Sequence, residues 1–321
     1  MGLLFFFSPL VASATAVPAQ QLLPAIIIVY DDGHIQDLTK AFPVHHELDK
    51  PAVAAVNPDT LGNQGVLNKN DLQYLQTSGW EIASHGQNHA FLGPNQVQQQ
   101  ITKGARLIKI DNPHFVEKRY NYLLFNNDSE KVERIQIEEI FIFEDKSFIK
   151  TRKPVDNDYF SSETFIMPCM ASMQTEIVNS KHELENLELN INSFVYPYNA
   201  YTSWAKDIAQ KHYNFARAGI TKHTIDPEDK INFPPLDCHS LKALCFETDF
   251  MTDHDLMKMI EVTKNSHGLL ILYAHSGNKG FCTKRLELIL QSAQKMEINV
   301  LTFQDLPDSF CEPKTGPEPG A

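Results

Sequence analysis

Two short stretches carry side chains that could do chemistry together. His85-Gly86-Gln87-Asn88-His89 sets two imidazoles four residues apart, directly after the apolar run Trp80–Ser84. Asp31-Asp32-Gly33 ends another apolar run, Ala25–Tyr30. Two imidazoles and a carboxylate form a common three-ligand set for a catalytic zinc-type ion, with a fourth position left for water. An H-x-x-x-H pair alone is a weak signal, because that spacing arises by chance on any helix. The paired aspartates at a strand end strengthen it. Adjacent residues at a strand end diverge, so one aspartate can bind an ion while the other faces the water on it. That second carboxylate would serve as general base. His275, following the apolar run Leu269–Tyr273, would protonate a leaving group from the opposite side. The Pro197-Tyr198 loop would supply a backbone N–H to a developing oxyanion. Together these groups describe hydrolysis of an amide or an ester. The blander alternatives are a plain strand-ending turn at Asp31-Asp32-Gly33 and a core-edge histidine at His275. His34, His45 and His46 read as surface or supporting histidines rather than ligands.

The elements that would position these residues alternate between strand and helix. Ala25–Tyr30, with its unbroken β-branched run, suits a strand buried on both faces of a parallel sheet. Pro51–Asn57 reads as the next strand. Asn68, with Asp71 three residues on, caps a helix whose buried stripe includes Leu72 and Leu75 and which Gly79 ends. Trp80–Ser84 is the third strand, and Asn95–Ile108 reads as a helix. Residues 107–171 then alternate like a β-rich insertion, with strands at Tyr120–Phe125, Arg134–Phe143 and Ser147–Thr151. Met173–Leu187 returns to helix. Strands follow at Ser193–Pro197, Asn214–Ala218, Leu269–Tyr273 and Ile298–Thr302, with helices at Ala200–His212, His254–Asn265 and Lys284–Lys295. This is an α/β pattern of seven or eight units, a distorted (β/α) barrel whose active site should lie at the C-terminal ends of the strands. The barrel takes residues 21–106 and 172–310.

Composition limits the class. At 321 residues with 42% hydrophobic and 21% charged content, the chain is globular rather than disordered. A net charge of −12 argues against nucleic acid as the main partner, which requires a basic footprint. Residues 1–20 read as a signal peptide with Ala14-Thr15-Ala16 as its cleavage pattern, although the positive n-region is missing. That implies an exported protein. No later stretch is long and apolar enough to span a bilayer. Five cysteines occur without any C-x-x-C, which disfavours a cysteine zinc site. Cys238 and Cys245 are close enough in sequence to pair, or all five are free thiols. Residues 311–321 read as a disordered tail.

These residues resemble the polysaccharide deacetylase family, the nodulation-type chitooligosaccharide deacetylase homology domain. Tyr30-Asp31-Asp32-Gly33 is similar to its first motif, usually Phe-Asp-Asp-Gly. Gly79–His89 is similar to the second, with Gly86 where a Ser or Thr usually follows the first histidine. Phe194–Asn199 resembles the third, usually Arg-Pro-Pro-Tyr-Gly, and Leu272–His275 the last. The Tyr-Pro-Tyr form is closest to the exopolysaccharide (poly-N-acetylglucosamine) branch. The resemblance implies Asp32, His85 and His89 as ligands of one divalent ion, zinc first with cobalt or nickel as alternatives. It implies Asp31 as base, His275 as acid and Tyr198 as backbone oxyanion donor. The reaction implied is removal of N-acetyl from a carbohydrate. Val195 stands where many members carry an arginine that orients the base, and Arg217 is a candidate replacement. Asp237 is a weak candidate for the aspartate that tunes the acid. Two other readings stay open: a hydrolase of the same fold acting on a non-sugar amide or an O-acetyl ester, and a carbohydrate-binding protein with little turnover.

Overall fold

The computed structural model describes residues 23–126, 131–160, 163–220 and 226–312. The expected signal peptide, and the tail beyond residue 312, lie outside them. The first third of the chain supplies β1 (Ala25–Tyr30), β2 (Val53–Val56) and β3 (Glu81–Ser84). A separate antiparallel sheet follows: β4 (Asn95–Gln96), β5 (Leu107–Ile110), β6 (Asn121–Asn126), β7 (Val132–Phe143), β8 (Lys146–Thr151) and β9 (Thr164–Pro168). The chain then returns with β10 (Ser193–Val195), β11 (Phe215–Arg217), β12 (Leu244–Cys245), β13 (Leu269–Ala274) and β14 (Asn299–Leu301). The strands of the first and last groups form one parallel sheet, ordered β11-β10-β3-β2-β1-β13-β12.

The sheet curls into a distorted barrel. β1 pairs with β13 along its whole length, but on its other side it pairs with β14 at its start and β2 at its end. The far edges meet through the segment before β12. There Ala216 N donates to Cys238 O at 2.7 Å, and Leu241 N donates to Ala216 O at 3.0 Å. Around the outside pack α1 (Phe42–Glu47), α2 (Lys69–Thr77), α3 (Met170–Gln174), α4 (Ser180–Glu185), α5 (Ser203–His212), α6 (Asp253–Ser266) and α7 (Thr283–Lys295). Asn68 and Asp71 form the expected reciprocal cap on α2.

Strand periodicity decides what reaches the site. Successive residues of a strand point to opposite faces. Ile26, Ile28 and Tyr30 pack outward beneath the helices, where Tyr30 stacks on Trp80 at 5.4 Å. Ala25, Ile27 and Val29 face the barrel interior with Ala83, Val195, Phe215, Leu269 and Ile271. Truncating a side chain so enclosed costs roughly 2–5 kcal/mol. The same inward parity, continued one step beyond each core residue, carries Asp31, His85, Arg217, Tyr273 and His275 to the barrel mouth.

Four expectations fail for identifiable reasons. Asn95–Ile108 is not a helix. It contains β4, isolated bridges Val97–Ile110 and Ile101–Tyr159, and the start of β5. The spacing of Val97 and Ile101 mimics a helical stripe, but both side chains enter the core of the antiparallel sheet, which therefore begins at Asn95 rather than 107. His45 is neither a surface residue nor a neighbour of the site; it is fully buried behind β1. Its Nδ1–H donates to the Lys50 carbonyl and its Nε2 accepts from the Tyr30 hydroxyl at 2.9 Å. Cys238 pairs with Cys311, not Cys245, which anchors the start of the expected tail. Asp237 holds Lys206 and Ser240 and does not approach His275.

Candidate active site

Asp31, Asp32, His85, His89, Tyr198 and His275 line one cavity of about 330 Å³, together with Asn199, Tyr273 and Asn278. The turn after β1 is tight. Asp32 has φ +72° and Gly33 φ +62°, and a Cβ on Gly33 would come within 2.9 Å of Val56 Cγ1. Only glycine fits there. His89, Tyr198 and Asn199 also adopt left-handed backbone at φ +66°, +55° and +58°. Asp, Asn and His tolerate this region better than most residues, and Tyr does not. Each such residue stores on the order of 1–3 kcal/mol, a pattern that gathers at functional sites.

Three ligand atoms from Asp32, His85 and His89 lie within 4.8 Å of one another. Asp32 Oδ1 is 3.6 Å from His85 Nε2 and 3.4 Å from His89 Nε2. His85 Nδ1 sits 2.8 Å from the Val195 carbonyl, so the proton resides on Nδ1 and Nε2 presents its lone pair. That Nε2 is buried and has no hydrogen-bond partner among the described residues. An orphaned, inward-facing lone pair beside a carboxylate and a second imidazole fits a divalent ion, and the backbone carbonyl behind it is the usual outer support for a ligating histidine. Burial lowers the pKa of His85 well below its ordinary value, with His89 adding to the effect. Burial also lowers that of His89, against the opposing pull of Asp32 and Asp31. Both rings are therefore neutral near pH 7, as ligands must be.

Asp31 is held from one side only. Arg217, fully buried, donates from Nη2 to Asp31 Oδ2 at 2.7 Å and from Nη1 to Asn199 Oδ1 at 3.0 Å. Its guanidinium lies 4.5 Å from the centre of the Tyr273 ring, and Asn199 Nδ2 donates to the Tyr273 hydroxyl at 2.9 Å. Asp31 Oδ1 has no hydrogen-bond partner among the described residues. Arg217 thus places a buried positive charge against Asp31, where Val195 supplies none.

His275 is fixed by a residue that sequence reasoning missed. Glu247 Oε1 accepts from His275 Nδ1 at 2.7 Å and from its backbone N–H at 2.9 Å, while Oε2 accepts from Asn278 at 3.2 Å. Nδ1 therefore carries a proton, and Nε2 points toward Asp32 Oδ2, 3.9 Å away. Burial alone would lower the His275 pKa, but the charges of Asp31, Glu247 and Asp32 outweigh it and raise it. Burial would likewise raise Glu247, yet its hydrogen bonds from His275 and Asn278 bring it below its usual value. Glu247 follows a strand of only two residues, too short to read from periodicity; its inward parity beyond Cys245 was the one available signal. His34 lies 3.8 Å from Asp32 Oδ2, whereas His46 is solvent-exposed.

Neither a family model nor a curated protein matches this sequence. Solved structures do. A T48 deacetylase with substrate is 11% identical with a TM-score of 0.45, over 91% of this chain and 94% of that one. A family 4 acetyl xylan esterase from Clostridium thermocellum, in complex with a cobalt ion, is 10% identical with a TM-score of 0.45, over 88% and 89%. The CE4 domain of a multidomain xylanase from the hindgut metagenome of Trinervitermes trinervoides is 9% identical with a TM-score of 0.43, over 88% of each chain. No helix among the described residues is long and apolar enough to cross a membrane.

Proposed function

We propose that this protein is a metal-dependent hydrolase that removes N-acetyl groups from an amino-sugar polymer or oligomer. The observation that carries the reading is the convergence of Asp32, His85 and His89 in a cavity that Asp31 and His275 also line. The four motifs shared with polysaccharide deacetylases support the same reaction. A pure sugar binder would need neither a carboxylate steered by a buried arginine nor a histidine steered by a glutamate.

Asp32, His85 and His89 would hold the ion, and a set of two nitrogens and one oxygen suits zinc, cobalt or nickel. When bound, the ion supplies Lewis acidity toward water and the acetyl carbonyl. Asp31 takes the proton of the attacking water at Oδ1, while Arg217 keeps Oδ2 occupied and the carboxylate oriented. Tyr198 contributes its backbone N–H to the oxygen that gains charge. His275, its Nδ1–H fixed on Glu247, delivers a proton from Nε2 to the sugar nitrogen as the C–N bond breaks. The Cys238–Cys311 disulfide supports an exported location, since such bonds persist in oxidising compartments.

The test is acetate release from N-acetylglucosamine oligomers by chelated protein, before and after addition of zinc, cobalt or nickel. Metal-dependent release is expected. Asp31→Asn should reduce it by about 10²–10⁴-fold while one ion still binds. No release with any metal, from protein that binds an ion through His85 and His89, would rule out this substrate class and turn attention to O-acetyl esters and cyclic imides.

A further inference from the structure

The loop between the two histidines is gripped from outside the barrel. Thr175–Asn179, between α3 and α4, is a wide π-type helical turn, a feature often found at functional sites. It turns Glu176 inward, only 1% exposed. Glu176 Oε2 accepts from the backbone N–H of Ala90 at 3.1 Å and of Asn88 at 3.4 Å. Its Oε1 accepts from the hydroxyl of Tyr120, which precedes β6 of the antiparallel sheet, and that hydroxyl also lies 2.9 Å from Asn88 Oδ1. Asn88 Nδ2 donates to Glu117 from the same stretch. On the other side Gln87 Nε2 donates to Asp59 at 2.6 Å and Glu183 at 2.9 Å.

Gly86 fits this arrangement, whereas a side chain there would strain the backbone and push the Glu176 carboxylate aside. Its φ is +80°, and a Cβ there would stand 2.7 Å from Glu176 Oε2, closer than real Cβ atoms come. The serine or threonine usual at this motif position is absent, and a carboxylate from a different element occupies the adjoining space.

We propose that Glu176, braced by Tyr120 at the entry to β6 of the inserted sheet, is the positioning residue that holds the His85–His89 loop in its ion-binding form. The inference rests on the metal-site reading above. It makes the antiparallel sheet part of the metal site rather than a decoration on the barrel.

The experiment titrates cobalt(II) into chelated full-length protein by calorimetry, with amide exchange followed in the metal-free state. Glu176→Ala is expected to bind cobalt about 10–100-fold more weakly. Glu176→Gln, which keeps the shape and one acceptor oxygen, should recover most of that loss. The amides of Asn88 and Ala90 should exchange faster in metal-free Glu176→Ala, while those of β1 and β13 keep wild-type protection. Tyr120→Phe, which removes one hydroxyl and keeps the ring, should weaken cobalt binding severalfold and covers the case in which Glu176→Ala does not fold. His89→Ala is the control and should abolish binding. If His89→Ala abolishes binding while Glu176→Ala and Tyr120→Phe bind as wild type does, the positioning role is overturned and the metal site stands. Faster exchange throughout the fold with cobalt affinity unchanged would likewise reduce Glu176 to a general structural role. If wild-type protein binds no cobalt, the metal-site reading fails and this inference falls with it.

Discussion

Replacing Arg217 by methionine isolates the buried pair at the base of the site. Arg217 is fully buried and Asp31 is 3% exposed, with 2.7 Å between Nη2 and Oδ2. Neither charge is well hydrated, so removing the guanidinium leaves a carboxylate with no compensation. Such a loss costs about 3–5 kcal/mol. The same substitution in an Asp31→Asn background leaves a neutral amide instead, at about 1–3 kcal/mol. The expected interaction energy is the difference, about 2 kcal/mol, read from a double-mutant cycle in urea on chelated protein. Because a domain of ordinary stability has only about 5–15 kcal/mol in hand, Arg217→Met should fold but melt early, and Asp31→Asn should partly rescue it. In activity assays Arg217→Met should lose turnover, because Asp31 is then free to rotate. If Arg217→Met costs the same in the wild-type and Asp31→Asn backgrounds, the two residues are not coupled and the orienting role is wrong.

Two further outcomes follow from groups away from the ion. Glu81 is buried inside the barrel with Ser193, and burial pushes its carboxyl up to about 7 against its hydrogen bonds. The native state therefore holds a proton that the unfolded state releases, so this group's contribution falls as pH rises from 4.5 to about 7, by about 3 kcal/mol. Glu81→Gln should gain stability relative to wild type between about pH 4.5 and about pH 8, measured by urea unfolding at both; an equal difference at the two values would refute the shift. The disulfide between Cys238 and Cys311 joins residues 73 apart, for which loop closure gives about 4 kcal/mol. Cys238→Ser with Cys311→Ser should lower the urea midpoint accordingly, and an unchanged midpoint would contradict it.

Much of the frame was legible because strand chemistry is local. The β-branched run of β1, the capping pair Asn68 and Asp71, and the Gly79 turn all act within a few residues, and the structure keeps them. Asp31, His85 and His275 were legible because each follows an apolar strand and strand parity brings them to one mouth, whereas Asp32, His89 and Tyr198 were legible from motif spacing and reach the mouth through left-handed turns. What was missed depends on contacts distant in sequence. Glu247 reaches His275 from a two-residue strand, and Glu176 reaches Ala90 from a wide helical turn that no propensity scale marks. His45 looked like a surface histidine because polarity is read from residue type, while its burial depends on Tyr30 and Lys50 satisfying both ring nitrogens. Asn95–Ile108 misled because tertiary pairing with residues near Tyr159 overrode a helical spacing. Cysteine spacing predicted proximity along the chain, and Cys311 was brought to Cys238 by the fold instead.

The order in which the site's parts occur along the chain has a consequence for how it assembles. Asp32, His85 and His89 belong to β1, β3 and the turns after them, which β2 joins as immediate neighbours in the sheet. Arg217, Glu247 and His275 come from the last third; Glu247 meets His275 through the pairing of β12 with β13, but Arg217 and His275 reach Asp31 and Asp32 only when the segment before β12 meets β11 and β13 meets β1. Contacts of such long sequence separation form late, because the loop-closure entropy must be offset first. The groups that would hold an ion are thus gathered from the opening of the chain, whereas those that would steer protons depend on the final closure of the barrel.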